Sequence, residues 1–333
     1  MFTDLLNRLT GAAPQPDPLA DYRRALAALL VRCARVDGVY DADEQAMIER
    51  VLGNRYALAP EAAADLRAQG ETLEGEAGDT VHLTRAVKDG VPYDERFAVA
   101  QALWSVALAD SQRDHHEDSF MRLTVKLLGI SDVDSARAVA EQAEAAGLKA
   151  VDAPVSGGIG GAQAGTLTFM AGGSDEGFAT VKPLFDIMGQ KAVHCGEAGA
   201  GQAAKICNNM ILGISMIGVC EAFGLAEKLG LDPQKMFDVV STSSGSCWSI
   251  NTYCPVPGVG PKSPADNDYK PGFAAGLMLK DLGLAQAAAD TAGAPTPMGA
   301  HALALYEKMV GEGKAGADFS AMLPWLKGQL REG

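Results

Sequence analysis

Through the first 130 residues, apolar positions recur at three- and four-residue steps. That spacing predicts amphipathic helices over 19–35, 44–52, 96–109 and 117–128. No alternating apolar–polar run of strand type interrupts them. Two stretches break the period and are expected as loops: 11–19, with three prolines, and 69–80, rich in Gly and Glu.

From Val133 the texture changes. A helix is expected over 135–146, with Gly147 placed to close it in a left-handed cap. It is followed by a short apolar run, 149–153, a glycine-rich turn, 156–161, and a second apolar run, 166–171, closing on Gly172-Gly173. A helix over 175–188 then leads into the run 192–195. Such alternation predicts β-α-β units with a mostly parallel sheet, here of about three strands. After Gly199 the period is helical again, starting with a long helix over 202–229. A proline-rich loop, 253–271, separates it from the closing helices. The expected fold is therefore mainly α: an N-terminal bundle, a short α/β piece and an all-helical C-terminal part.

The chain has 333 residues, 47% of them hydrophobic, which suits globular domains and excludes a disordered, collagen-like or coiled-coil chain. A net charge of −14 repels phosphate backbones, so nucleic acid is not expected as a partner. The 6 cysteines form no C-x-x-C pair, and their usage points to reduced thiols in the cytoplasm. Residues 1–10 carry Asp4 and no basic start or long apolar run, unlike a signal peptide. The most apolar stretch, 206–225, is broken by Asn208, Asn209 and Glu221, and reads as a buried helix and not as a membrane span.

The N-terminal part contains an internal repeat. Residues 33–44 match residues 106–117, with A-x-x-D-x-x-x-D-x-x-E in both copies. One reading is a cation site, since Asp37, Asp41, Asp110 and Asp114 are hard oxygen ligands on tight turns. The other is capping: Asp41 with Glu44, and Asp114 with Glu117, stand at N-cap and N3 spacing, which accounts for the pattern without any ion. His115 and His116 are adjacent on a helix and face different ways, which does not favour a shared metal. On this turn, residues 1–131 resemble the tellurite-resistance-protein-B-like family of small helical bundles. The first copy carries Asp37-Gly38, whereas the second has Ser111 in the glycine position.

Three further motifs carry chemistry. In Asp152-Ala153-Pro154-Val155-Ser156-Gly157-Gly158, successive backbone amides can form a nest for an anion such as a carboxylate, although the motif standing alone reads first as a plain glycine-rich turn. In Gly199–Asn209, Lys205 and Asn209 lie four apart on one helix face, and burial of a lysine there would draw its pKa toward the range of acid–base work. Gly199-x-Gly201-x-x-Ala204 imitates a dinucleotide fingerprint, but no acidic residue follows at a second strand end; Glu221 lies within the same helix. The third motif is Lys280-Asp281, heading an apolar helix.

Together with the loop from Cys247-Trp248 to Tyr253-Cys254-Pro255-Val256-Pro257-Gly258, these motifs resemble 3-hydroxyisobutyrate dehydrogenase, of the β-hydroxyacid dehydrogenase family. The resemblance implies that Lys205 is the general acid/base, that Asn209 orients the substrate hydroxyl, and that Ser156, Gly157 and Gly158 hold the carboxylate. It implies that Lys280 faces a nicotinamide cofactor with Asp281 beside it. The implied reaction is NAD-dependent oxidation of 3-hydroxyisobutyrate to methylmalonate semialdehyde, a step of valine breakdown.

Members of that family open with a strand, a G-x-G-x-x-G turn and a helix that receives the pyrophosphate. Before Asp132 this chain has the bundle instead, and Gly129-Ile130 replace the family's Ser-Thr pair. A gene fusion is expected, with three parts: 1–131 a bundle, 132–198 a truncated Rossmann remnant and 199–333 the helical dehydrogenase domain. Two functional readings follow. One is a dehydrogenase impaired in NAD binding, able to form homo-oligomers or mixed oligomers with an intact enzyme. The other is a non-enzymatic acidic-turn domain carrying an inert remnant.

Overall fold

The computed structural model describes residues 22–36, 38, 40–108 and 115–328, except the side chains of His115 and Glu117. Asp37, Asp110 and Asp114, three of the four candidate cation ligands, therefore lie outside the described residues. The chain divides into two compact units between Ala150 and Val151.

The first unit is a bundle of α1 (Tyr22–Ala34), α2 (Ala42–Tyr56), α3 (Pro60–Glu76), α4 (Thr80–Gly90), α5 (Arg96–Ala107), α6 (His115–Leu127) and α7 (Asp132–Ala145). Helix α1 is apolar nearly all round, so it is buried nearly all round, and Ala25 to Val31 form the centre of the core. The fourth candidate ligand, Asp41, caps α2. Its Oδ1 accepts from the amides of Asp43 (2.9 Å) and Glu44 (3.0 Å), while Glu44 Oε2 accepts from the Asp41 amide at 3.0 Å. This is the reciprocal capping box.

Two expectations need correction here. The loop over 69–80 is largely helix, because α3 continues to Glu76 and α4 starts at Thr80. Gly70 is in fact the reason that α3 fits, since a Cβ there would lie 2.7 Å from the Ala27 backbone of α1. Arg32 of α1 then closes α3, donating to the carbonyls of Glu74 (3.1 Å) and Ala77 (2.7 Å). The second correction concerns α7, which the sequence assigned to the α/β part. It packs on α5 and buries Ala136, Ala138, Ala140 and Ala143, with Ile130 and Ala138 inside the bundle core. Small side chains let the helices approach closely. The boundary of packing therefore falls 19 residues beyond the motif boundary at 131/132. Gly147 takes the expected left-handed cap conformation, with φ of 75°.

The second unit opens with a sheet of order β1-β2-β3, formed by β1 (Val155–Ser156), β2 (Leu167–Gly172) and β3 (Gly189–Gly196). Strands β2 and β3 are parallel and joined through α9 (Asp175–Met188), the expected β-α-β unit. Strand β1 differs from expectation: it runs antiparallel to β2, and the apolar run 149–153 contributes only an isolated bridge, Asp152 to Gly172. The glycine turn over 156–161 is in part a short helix, α8 (Gly158–Ala164), entered through Gly157 at φ of 133°, where only glycine is at ease.

Helix α10 (Ala200–Lys228) follows, then α11 (Pro233–Val240), α12 (Trp248–Asn251), α13 (Ala275–Ala292), α14 (Pro297–Met309) and α15 (Met322–Leu326). By length and composition alone α10 could cross a membrane. One face of it, however, supplies Met216, Cys220 and Phe223 to a core shared with Met278, Leu282 and Tyr306.

Candidate active site

The polar side of the site is built where β1 meets the first turns of α10. Lys205 and Asn209 lie one turn apart on α10, as their spacing requires. Lys205 Nζ donates to the carbonyl of Val155 at 2.8 Å, which sets the amine beside Ser156 and the turn through Gly157 and Gly158. Burial lowers the Lys205 pKa and the Lys280 charge adds to this, while the Asp281 carboxylate opposes it. Asn209 is buried and held at both ends of its amide: Nδ2 donates to Asp281 Oδ2 at 2.5 Å, and Oδ1 accepts from Asn208 at 2.9 Å.

These residues surround a cavity of about 740 Å³, with Ser156, Gly157, Gly158, Lys205 and Asn209 all in its lining. Lys280 and Asp281 do not line it. Asp281 reaches the site through Asn209, and Lys280, paired with Asp281 at 2.9 Å, stands half exposed behind it. One part of the wall is aromatic, from Trp248, Tyr253, Phe273 and Phe319, and another is aliphatic, including Ile159, Leu167, Ile211 and Leu212. Sequence reading named the 247–258 loop as characteristic without assigning those rings to the site, and Phe273 and Phe319 carried no motif. Among the described residues, no group of three or more His, Cys, Asp or Glu side chains could hold a metal ion.

The N-terminus of α10 shows how this half is locked together. Asp152 Oδ1 accepts from the Gly199 amide at 2.7 Å, and Oδ2 accepts from the Gln202 amide at 2.9 Å. The carboxylate thus neutralises the positive end of α10 and ties β1 to the helix that bears Lys205. Gly201 and Gly172 make the room: a Cβ on Gly201 would lie 2.3 Å from the Met170 carbonyl oxygen, and one on Gly172 2.5 Å from Asp152 Oδ1. The G-x-G pattern at 199–201 serves this packing.

A dinucleotide needs a helix N-terminus, following a strand, that is open to its pyrophosphate. The end of α10 is filled by Asp152. That of α9 is capped by Ser174, with Asp175 and Glu176 in the first turn repelling phosphate. Helix α8 is a single short helix of 7 residues that opens onto the cavity. Among the described residues, the ends of α9 and α10 are therefore closed to a pyrophosphate.

Comparison with known proteins gives different matches for the two parts of the chain. Residues 23–140 match the family model of the tellurite resistance protein TerB. Residues 124–196 match the NAD-binding domain of 6-phosphogluconate dehydrogenase, and 199–326 the NAD-binding part of NADP-dependent 3-hydroxyisobutyrate dehydrogenase. The chain is 51% identical over 195 residues to a probable 3-hydroxyisobutyrate dehydrogenase of Mycobacterium tuberculosis, covering 59% of this chain and 66% of the relative. It is 50% identical over 198 residues to the 3-hydroxyisobutyrate dehydrogenase of Pseudomonas aeruginosa, with the same coverage. For the human mitochondrial 3-hydroxyisobutyrate dehydrogenase the identity is 46% over 203 residues, covering 60% of each chain. The chain thus spans slightly under two thirds of the length of these curated relatives. Among solved structures, the Mycobacterium tuberculosis 3-hydroxyisobutyrate dehydrogenase with L-serine aligns at 51% identity and a TM-score of 0.56, covering 60% of this chain and 67% of that one. The Salmonella typhimurium 3-hydroxyisobutyrate dehydrogenase aligns at 31% identity and a TM-score of 0.51, covering 59% of this chain and 66% of that one.

Proposed function

We propose, from the premise that residues 132–326 belong to the 3-hydroxyisobutyrate dehydrogenase family and follow a TerB-type bundle, that the second unit is the hydroxy-acid-binding and proton-handling half of such an enzyme. The observation that carries this reading is the convergence of Lys205, Asn209 and the Ser156-Gly157-Gly158 turn on one cavity. The amides of that turn bind the substrate carboxylate. Asn209, fixed by Asp281 and Asn208, orients the hydroxyl on the third carbon, and the desolvated Lys205 amine takes or returns its proton. Lys280 and Asp281 complete the polar edge. The family reaction is NAD-dependent oxidation of 3-hydroxyisobutyrate to methylmalonate semialdehyde, in valine breakdown. We propose that this chain alone performs it poorly, because Asp152 occupies the helix end nearest the site. A soluble, cytoplasmic protein in homo-oligomers, or in mixed oligomers with an intact dehydrogenase, fits this reading.

The test is calorimetric titration of the full chain with 3-hydroxyisobutyrate and with NAD, followed by an assay for NADH. Hydroxy-acid binding without measurable NAD affinity is expected. Lys205→Ala should abolish any NADH formation, weaken hydroxy-acid binding only modestly and leave the circular dichroism intact; NADH formation that persists in the variant would refute the assignment of Lys205. The pH dependence has a definite sign. The folded protein holds Lys205 below the ordinary lysine value of about 10.4, so protonation favours the unfolded chain and stability falls as pH drops through that range. Lys205→Met should remove this component, and comparing denaturation midpoints at pH 7 and pH 10 for the two proteins measures it.

A further inference from the structure

Asp318 is fully buried and belongs to none of the groups described so far. Its Oδ2 accepts from the Tyr253 hydroxyl (2.9 Å), the Gly272 amide (3.0 Å) and the Phe273 amide (3.1 Å). Its Oδ1 accepts from the amide (2.9 Å) and the hydroxyl (2.6 Å) of Ser320. Burying a carboxylate is costly unless donors converge on it, and here five do. Capping of the short 3₁₀ turn Phe319–Ala321 explains the Oδ1 bonds only. The three donors on Oδ2 come from elsewhere in the chain, and each belongs to a residue that lines the cavity.

What those donors hold is the aromatic wall. Trp248 stacks on Tyr253 with ring centroids 4.9 Å apart, Tyr253 lies 5.3 Å from Phe319, and Phe273 meets Phe319 edge-on at 5.7 Å. Phe319 follows Asp318 directly, and its amide donates to the Phe273 carbonyl at 2.9 Å. Gly272 is part of the same device, since a Cβ there would lie 2.5 Å from the Tyr253 hydroxyl and push it off the carboxylate. The Tyr253 hydroxyl stays protonated, because burial and the neighbouring carboxylate both raise its pKa.

We propose that Asp318 is a positioning residue for substrate selection: one carboxylate oxygen gathers Tyr253, Gly272 and Phe273, and so fixes the aromatic wall against which the carbon branch of a short 3-hydroxy acid packs. The inference rests on the hydroxy-acid reading of the cavity given above. Asp318 acts through Tyr253 and does not touch the substrate.

The experiment titrates the full chain with 3-hydroxyisobutyrate and with unbranched 3-hydroxypropanoate, following Trp fluorescence, since Trp248 reports on the wall. The wild-type chain should prefer the branched acid by about tenfold, the value of one methyl group against a formed apolar pocket. Asp318→Asn replaces an oxygen that faces donors with an amide that repels them, and should bring the ratio close to one. Should that variant fail to fold, Tyr253→Phe removes only the hydroxyl and tests the same link. Gly272→Ala should also flatten the ratio, and the double variant Tyr253→Phe/Gly272→Ala should do no worse than Tyr253→Phe alone, because the atom struck by the new Cβ is gone. In the expected result each variant weakens the branched acid several-fold more than the unbranched one. A purely structural role would weaken both acids together, and that outcome overturns the proposal. So does an unaltered ratio in folded Tyr253→Phe, or a wild-type ratio of one. A wild-type chain that binds neither acid overturns the hydroxy-acid reading itself, and the role of Asp318 falls with it.

Discussion

Helix α1 of the bundle and strand β2 of the second unit are both apolar central elements, but they are covered very differently. Around α1 the helices leave Ala25 to Val31 without solvent contact, and the core runs on through α5 into α7. Around β2 the core consists of Phe169, Ala171 and Phe185, with Phe169 and Phe185 stacked at 4.5 Å. On α9, which covers this sheet, Leu184, Ile187 and Met188 are exposed, Ile187 to 78%. The difference follows from backbone chemistry. A helix satisfies its own amides and carbonyls, so any helix with a suitable apolar face can complete a bundle. A strand needs neighbouring strands, and a parallel sheet needs cover on both faces. That is why α7 could be taken into the bundle: residues 124–140 are matched both by the TerB model and by a dehydrogenase NAD-binding model. A sheet has no equally simple way to take on a new neighbour.

The comparison can be tested at three points. The largest effect is expected from Ala138→Asp, which places a carboxylate at a fully buried position of α7. It should cost the bundle roughly 3–5 kcal/mol. If α7 belongs to the bundle, protease should then cut residues 22–150 while the second unit resists; equal resistance of both units would refute that membership. A middle-sized effect is expected from Asp152→Ala, which removes two charge-assisted bonds from the end of α10. A loss of about 2–3 kcal/mol is expected in urea denaturation of the second unit, with hydroxy-acid affinity falling as Lys205 loses its register. The smallest effect is expected from Asp41→Ala. Breaking that capping box should lower bundle stability by about 1 kcal/mol, and added divalent cations should not restore the thermal midpoint. Restoration by cations would favour the ion reading of the acidic turn.

The elements that were legible in the sequence are those whose causes are local. The three- and four-residue period marked α1, α2, α5 and α6, the Asp41–Glu44 spacing marked the start of α2, and the four-residue step from Lys205 to Asn209 placed both on one face of α10. The turn at Ser156-Gly157-Gly158 was legible as a turn from its glycines, while a role for it came only with the resemblance of the surrounding motifs. What escaped depended on distant partners. A glycine-rich stretch at 69–80 reads as a loop until α1 is seen lying against Gly70. The antiparallel run of β1 escaped for the same reason, as did the placing of Lys280 and Asp281 behind Asn209 and not in the cavity wall.

Residue spacing and side-chain chemistry by themselves determined the order of the parts, the change from helical to mixed character near Val133, and the placing of Lys205 and Asn209 on one helix face, because each is written within a few consecutive positions. Tertiary structure alone decided that helix 132–145 serves the bundle, that Asp152 closes the end of α10, and that Asp318 gathers Tyr253, Gly272 and Phe273. The carboxylate contacts among these join residues 45 to 65 positions apart in the chain. A buried carboxylate selects its partners by which donors the folded backbone brings within reach.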